Sequence, residues 1–83
     1  MIAFDPDKDD SNRAKHGLSL TRPADLEVLA VVDDDRFAEP RRRTYGLIDG
    51  EFCCLAYVVR HGAVRALSLR RAHVEEVRRY DQR

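Results

Sequence analysis

Arginine is the side chain with the clearest chemical potential in this sequence, and it is concentrated in the second half. Arg60, Arg65, Arg70 and Arg71 flank two apolar stretches, "LAYVV" and "ALSL". A guanidinium group binds phosphate oxygens through two parallel hydrogen bonds, and it stabilises the negative charge that develops when a phosphodiester is cleaved, without any metal. The pattern therefore indicates an anionic partner, with RNA as a candidate.

Cleavage of RNA through the ribose 2′-hydroxyl also requires a base. The side chains that qualify by type are His16, Glu39, Glu75 and Glu76. Histidine changes its charge closest to neutral pH, which favours His16. In "NRAKHG", however, His16 also precedes Gly17 at the expected end of a helix, where a polar residue has an ordinary structural role.

The charges are balanced overall but not along the chain. There are 15 basic and 15 acidic residues in total. Residues 1–40 carry ten acids and five bases, whereas residues 41–83 carry five acids and ten bases, all of them arginine. This imbalance favours an anionic ligand for the second half, although a GC-rich genome alone also produces arginine-rich chains.

Several classes of enzyme lack their signature here. The sequence has no glycine-rich phosphate loop, no Cys or His pairs at metal-binding spacing and no serine in a nucleophile elbow, so neither a cofactor nor a metal is expected. Cys53 and Cys54 are adjacent, point to opposite faces of a strand and are expected to be small buried residues. Without a signal peptide or an apolar run near 18 residues, the protein is expected to be cytoplasmic and not bound to a membrane.

The elements that must position these side chains are predicted from turn residues and hydrophobic period. "IAFD" predicts a short first strand, after which Asp5 and Pro6 begin a helix that Gly17 ends. A second helix, capped by Ser19 or Thr21, is expected to continue to the acidic run "DDDR". Its apolar face would consist of Ala24, Val28, Leu29, Val31 and Val32.

A loop over residues 33–40 is expected to lead into three consecutive antiparallel strands. "RRTYGLIDG" predicts a strand ending in the turn pair Asp49 and Gly50, "EFCCLAYVV" a covered central strand, and "AVRALSLRR" the third. "HVEEVRRYDQR" predicts a short charged helix with Val74 and Val77 as its main apolar contacts. The order is β-α-α-β-β-β-α, an antiparallel sheet packed against helices, in a single α+β domain over residues 1–83.

The turn in "RHGA" decides which arginines meet across the last two strands. If it is centred on Gly62 and Ala63, Arg60 lies opposite Arg65, a repulsive arrangement unless an anion lies between them. If it is centred on His61 and Gly62, the pairing shifts and this opposition disappears.

The same alternatives decide which side chains form a surface. In the first register Tyr57 lies opposite Ser68, and Tyr57, Ser68 and Arg70 share a face that would suit RNA. In the second register only the grouping of Ser68 with Arg70 is retained, because both lie on one strand.

Two motifs occur in fixed order along the chain. The first is an aspartate, a lysine three residues on, an asparagine and Lys-His-Gly, met by Asp5, Lys8, Asn12, Lys15, His16 and Gly17. The second is an arginine, apolar residues, a serine, any residue, two basic residues and an alanine. It is met by Arg65, Ser68, Arg70, Arg71 and Ala72. With both motifs, the sequence resembles the BrnT family of bacterial type II toxins nearly from end to end.

The resemblance implies a RelE-like fold, RNA cleavage that inhibits translation, and a BrnA-like antitoxin. It also implies a toxin–antitoxin heterotetramer in which the antitoxin makes the contacts to operator DNA. Taken with the residue chemistry, the catalytic candidates are Arg60, Arg65, Arg70, His16 and Glu39. The RNA-binding candidates are Lys8, Lys15, Arg41, Arg42, Tyr57, Ser68 and Arg71.

Other interpretations stay open. Arg60 and Arg65 are also ordinary solvated strand ends, and Tyr57 is also an ordinary residue for the edge of a core. In "EPRRR" a proline separates Glu39 from Arg41, which favours a toxin-like module that binds an antitoxin and helps repress the operon without cleaving RNA. Direct DNA binding by this chain is disfavoured by its acidic first half and by the absence of a recognition-helix pattern.

Overall fold

Five strands form one mixed sheet, and two α-helices and a short 3-10 helix complete the fold. The structure is a computed structural model, and it describes residues 2–83. In chain order the elements are β1 (Ala3–Phe4), α1 (Pro6–His16), the 3-10 helix (Arg22–Asp25), β2 (Glu27–Asp34), β3 (Arg41–Ile48), β4 (Glu51–Arg60), β5 (Ala63–Arg71) and α2 (Val74–Tyr80). The strand order is β1-β5-β4-β3-β2, antiparallel throughout except for the parallel pair β1 and β5. The predicted α+β class is confirmed.

Helix α1 begins and ends as the sequence predicts. The Asp5 carboxylate accepts a hydrogen bond from the Asp7 N–H at 2.9 Å, and Pro6 occupies the first turn. Gly17 adopts a left-handed conformation with φ of 70°, and its N–H donates to the Arg13 carbonyl at 2.9 Å. These caps satisfy backbone groups that have no partner inside the helix.

Asn12 fastens α1 to the edge of the sheet. Its side-chain Nδ2 donates to the carbonyls of Leu69 and Leu18, at 2.8 and 2.7 Å, and its Oδ1 accepts from the Leu69 N–H at 3.0 Å. β1 pairs only with Arg65 and Ala66 on this edge of β5. The Asn12 amide therefore takes hydrogen-bonding positions that a longer neighbouring strand would occupy.

The predicted second helix is wrong, because residues 27–34 form the edge strand β2 and only Arg22–Asp25 is helical. A β-bulge between Val28 and Ala30 inserts one extra residue into β2. It places Val28 and Val31, three residues apart, on the same face, which imitates the spacing of an amphipathic helix. β2 also absorbs the first two residues of the expected loop, which is reduced to residues 35–40.

The sheet is covered on both faces, although by different elements. Residues after α1 pack on one face in a buried cluster of Leu18, Leu20, Ile48, Cys53, Leu55, Tyr57, Ala66 and Leu69. On the opposite face Tyr45, paired with Cys54 in the register, stacks on Tyr80 of α2 with ring centroids 4.3 Å apart. Cys53 and Cys54 are both buried and free, as predicted.

Two-residue turns connect β3 to β4 and β4 to β5. Asp49 and Gly50 have φ of 51° and 80°, and His61 and Gly62 have φ of 51° and 77°. Positive φ at both central residues matches the twist of antiparallel hairpins. The predicted turn at Asp49 and Gly50 is confirmed.

The second turn is centred on His61 and Gly62, so the alternative centred on Gly62 and Ala63 is wrong. Arg60 pairs with Ala63, and Arg65 lies opposite Val58. Arg60 and Arg65 therefore do not oppose each other directly in the sheet, and no bridging anion is needed there.

The expected common face of Tyr57, Ser68 and Arg70 is also wrong. Ser68 pairs with Ala56 and Ala66 with Tyr57, so Leu67 is an extra residue in β5. This bulge turns Tyr57 toward the core, where it is 9% exposed and accepts a hydrogen bond from the Thr44 hydroxyl at 3.0 Å. Ser68 and Arg70 stay on one face because strand side chains alternate.

Helix α2 occupies the predicted segment but makes different contacts. Val74, expected as an apolar contact, is 67% exposed. Tyr80 and Glu76 instead attach the helix to the sheet, by stacking on Tyr45 and by an ion pair with Arg70. Within residues 2–83, no helix has the length and apolar character needed to cross a bilayer.

Candidate active site

Two adjoining cavities bring together most of the predicted site residues. The first, of about 450 Å³, is lined by Lys8, Glu39, Arg41, Arg60 and Arg65. The second, of about 300 Å³, is lined by Lys8, Lys15, His16 and Ser68. Lys8 lines both, so the cavities adjoin, and we refer to these eight residues together as the basic groove.

Arg60 is held in the basic groove by Glu39. Its Nε and one terminal nitrogen donate to the two carboxylate oxygens of Glu39, at 2.8 and 2.7 Å. These hydrogen bonds lower the pKa of Glu39 and raise the pKa of Arg60. A carboxylate with a lowered pKa is a weaker base, so Glu39 is better suited to orienting Arg60 than to abstracting a proton.

Other cations of the basic groove have no acidic partner. Within residues 2–83, Lys8, Arg41 and Arg65 make no ion pair at 4.0 Å or less. The Arg41 guanidinium lies 3.8 Å from the centre of the Phe37 ring, a cation–π contact that leaves its hydrogen-bond donors available. These three side chains can therefore bind phosphate oxygens without first breaking a salt bridge.

His16 lies at the end of α1 and also lines a cavity. Its backbone carbonyl, at the end of α1, accepts a hydrogen bond from Arg71 at 3.2 Å. The half-buried residue also lines the second cavity together with Ser68. An imidazole and a hydroxyl thus share a cavity next to the unpaired cations.

Arg70 does not line the basic groove but belongs to a separate network beneath α2. Its two terminal nitrogens donate to the two carboxylate oxygens of Glu76, at 2.7 and 3.0 Å. The Tyr45 hydroxyl donates to Glu76 at 2.6 Å and accepts from Arg43 at 3.0 Å. With Tyr80 stacked on Tyr45, these five residues form what we call the α2 cluster.

Electrostatics in the α2 cluster favour a fixed arrangement. The pKa of Glu76 is lowered to about 2, chiefly by the hydrogen bonds from Arg70 and against the effect of burial. Burial and the hydrogen bond to Glu76 raise the pKa of Tyr45. Sequence reasoning considered Glu76 only as a base and missed Tyr45 and Arg43. Their spacing of two on one strand was a signal for a common face, but it did not show that α2 docks there.

The remaining predicted residues lie outside the basic groove. Arg42 pairs with Asp33 at 3.3 Å, and Arg71 pairs with Glu51 at 2.6 Å. Tyr57 is buried, as described above. Within the part of the chain that the structure describes, no three His, Cys, Asp or Glu residues are grouped so that they could hold a metal ion.

Comparisons with known proteins agree on one family. The model of the ribonuclease toxin BrnT, of type II toxin–antitoxin systems, matches residues 4–76. The crystal structure of the Brucella abortus ribonuclease toxin BrnT is similar, with a TM-score of 0.65 and 28% sequence identity over 87% of this chain and 95% of that one. No curated protein matches the chain. From the match over nearly its whole length, this chain belongs to the BrnT family of ribonuclease toxins of type II toxin–antitoxin systems.

Proposed function

We propose that this protein is a metal-independent endoribonuclease that cleaves RNA in the basic groove and thereby inhibits translation. The observation that carries the proposal is the meeting of Lys8, Arg41, Arg60 and Arg65 in one cavity that opens toward His16. Four cations on one wall attract a phosphodiester backbone, and arginines stabilise the charge of its transition state in place of a metal.

Each group has a distinct role in this proposal. Lys8, Lys15, Arg41 and Arg65 bind the phosphates, since none of them has an acidic partner within residues 2–83. Arg60, oriented by Glu39, and Arg65, at the phosphate being cleaved, stabilise the developing negative charge. His16 accepts the proton of the ribose 2′-hydroxyl, whose oxygen bonds to phosphorus as the bond from phosphorus to the 5′-oxygen breaks. The products are a 2′,3′-cyclic phosphate and a 5′-hydroxyl that takes its proton from water. Ser68 donates a hydrogen bond to the substrate.

The partners follow from the family. Type II toxins are paired with antitoxins, and we propose a BrnA-like antitoxin that neutralises this chain in a heterotetramer and contacts operator DNA itself. We also propose a RelE-like relationship for the fold and a cytoplasmic location, where both RNA and operator are found.

The test is RNA cleavage by protein purified free of antitoxin, with total RNA and excess EDTA, with and without ribosomes. The wild type should cleave. Arg65→Ala should lose about 100-fold or more of the rate, because one charge-stabilising donor is typically worth that much. Arg42→Ala is the matched control, because Arg42 lies outside the groove, and it should retain activity. Cleavage that EDTA abolishes, or an Arg65→Ala variant with full activity, would contradict the proposal.

Arg70→Ala is a less direct test. Removing Arg70 leaves Glu76 without its main partner and loosens α2, so lost activity could reflect lost structure. This variant is informative only if its thermal unfolding matches that of the wild type.

A second candidate function is antitoxin binding and repression without RNA cleavage. It is favoured by one observation, that both Arg60 and Arg70 are engaged by internal carboxylates, Glu39 and Glu76. Expression without antitoxin distinguishes the two functions. Arrested growth with degraded RNA supports the ribonuclease, whereas normal growth with intact RNA and retained antitoxin binding supports the second candidate.

A further inference from the structure

The outer edge of β2 is an open strand with an apolar stripe. β2 is the last strand of the sheet and pairs only with β3. Val28 and Val31 are 57% and 56% exposed. Their partners in the register, Gly46 and Thr44, are two residues apart on β3, so both valines lie on one face. An exposed edge with apolar side chains is a template for a further strand.

The opposite edge of the sheet is treated differently. There β1 pairs with Arg65 and Ala66, and the Asn12 amide binds the backbone of Leu69. The fold thus covers the edge of β5 but leaves β2 uncovered over eight residues. Edge strands of monomeric proteins are usually shortened, bulged or protected by lysine. β2 has the bulge between Val28 and Ala30, but it carries no lysine and extends over eight residues.

The charge of β2 restricts what can bind it. Residues 27–35 contain four acids and no base. In an antiparallel pairing of two copies along the whole strand, Glu27 of one copy lies beside Asp33 and Asp34 of the other. Like charges in opposed positions destabilise a sheet, so a second copy of this chain is disfavoured. A basic extended segment is favoured for the same reason.

We propose that the β2 edge binds an extended basic segment of the antitoxin as a sixth strand. This inference rests on the proposed function, because it names the surface on which the partner docks. Apolar side chains of the segment cover Val28 and Val31. Its lysines or arginines face Glu27 and Asp35, which make no ion pair within residues 2–83, whereas Asp33 and Asp34 are paired with arginines of the same chain. β2 leads directly into the loop that carries Glu39, so the bound segment ends beside the basic groove.

Hydrogen–deuterium exchange is the first test, with the antitoxin encoded in the same operon as the probe. In the complex, backbone amides of residues 27–34 should exchange at least about tenfold more slowly than in the free toxin. Binding without added protection of these amides would overturn the inference. Protection in the free toxin that rises with its concentration would also overturn it, in favour of a second copy.

Charge variants test the chemistry of the segment. Glu27→Lys combined with Asp35→Lys should weaken antitoxin binding at least about tenfold, with a smaller effect in high salt. Asp10→Lys on the exposed side of α1 is the control and should bind normally. If the double variant binds the antitoxin as tightly as Asp10→Lys does, the proposal is contradicted.

The same variants separate this inference from the proposed function. RNA cleavage by each free variant should equal that of the wild type, since none of the changed residues lines the basic groove. An inactive wild-type toxin with a protected β2 edge would contradict the ribonuclease alone. An active toxin with an unprotected edge in the complex would contradict the docking surface alone.

Discussion

Asn12 makes three hydrogen bonds to the backbone of two segments that are distant in sequence. Its amide binds both polar groups of Leu69 and the carbonyl of Leu18, and it is 5% exposed. Asparagine suits this position because its side chain carries a donor and an acceptor, as a peptide group does. The asparagine of the amino-terminal motif therefore has a clear structural role.

We expect Asn12→Ala to lower the free energy of unfolding by about 2–4 kcal/mol, since three buried backbone groups lose their partner. Urea unfolding followed by circular dichroism would measure the loss. Ser11→Ala, a change at the neighbouring exposed residue, is the control and should have little effect. A loss below about 0.5 kcal/mol in Asn12→Ala would show that water replaces the amide.

Glu76 should make the protein sensitive to acid. Its pKa in the folded protein is about 2, compared with an ordinary value of 4.5. A lowered pKa contributes stability above the ordinary value, and the contribution is lost as the pH falls from about 4.5 toward 2.

We therefore expect Glu76→Gln to lower the free energy of unfolding by about 1–3 kcal/mol at pH 7, and by much less at pH 2.5. Chemical unfolding at a series of pH values measures the difference. Glu75→Gln is the matched control, because Glu75 is exposed and makes no ion pair within the described residues. A difference for Glu76→Gln that is constant with pH would contradict the assigned cause.

At the scale of elements, the two-residue turns hold the meander in register. Each turn has two residues with positive φ, and His61 is a less favourable choice for its position than asparagine. β-Bulges instead change the register, since each extra residue shifts the alternation of side chains between the two faces. Register and faces in this sheet therefore depend on both turns and bulges.

We expect His61→Asn to raise the free energy of unfolding by about 0.5–1 kcal/mol, because asparagine followed by glycine favours this turn. Thermal unfolding would record the gain as a higher Tm. His61→Gln, which removes the imidazole without favouring a positive φ, is the matched control and should show no gain. An unchanged or lower Tm in His61→Asn would show that the imidazole makes a compensating contact.

Local signals explain which elements could be predicted from the sequence. α1, β3, β4 and the first hairpin depend on caps and turn residues that are adjacent in sequence, and they were predicted. β2 was not, because its bulge gives Val28 and Val31 a helical spacing. Only one of the two predicted registers placed Tyr57 with Ser68 and Arg70, and it is wrong; the bulge at Leu67, which separates their faces, depends on strand pairing. In the site, the two motifs contain five of the eight residues of the basic groove, but the pairing of Arg70 with Glu76 required the docked position of α2.

On the scale of the whole molecule, a net charge of zero conceals two surfaces of opposite charge. Cations without acidic partners line the basic groove, while Glu27 and Asp35, which make no ion pair within residues 2–83, lie at the two ends of β2. The same protein thus has one surface whose charge suits nucleic acid and another whose charge suits a basic polypeptide. These surfaces differ in sign and in position, which allows both ligands to be recognised by electrostatics.

We expect binding of single-stranded RNA to weaken steeply with salt. Each cation that contacts a phosphate contributes about 0.7 to the slope of log affinity against log salt. Arg65→Ala should therefore reduce the slope by roughly 0.7, and Arg42→Ala should leave it unchanged. Fluorescence anisotropy at several salt concentrations would measure both slopes. Equal slopes for wild type and Arg65→Ala would indicate that Arg65 does not contact the RNA.

The basic groove joins Lys8 and His16 of the first helix to Arg60, Arg65 and Ser68 of the last two strands. A nascent chain therefore carries no groove until its final strand has left the ribosome. At about 5–20 residues per second, the interval between the synthesis of Lys8 and Ser68 lasts roughly 3–12 seconds. During this time the groove is incomplete, so the antitoxin contact that we propose at β2 can form before the proposed cleavage site does.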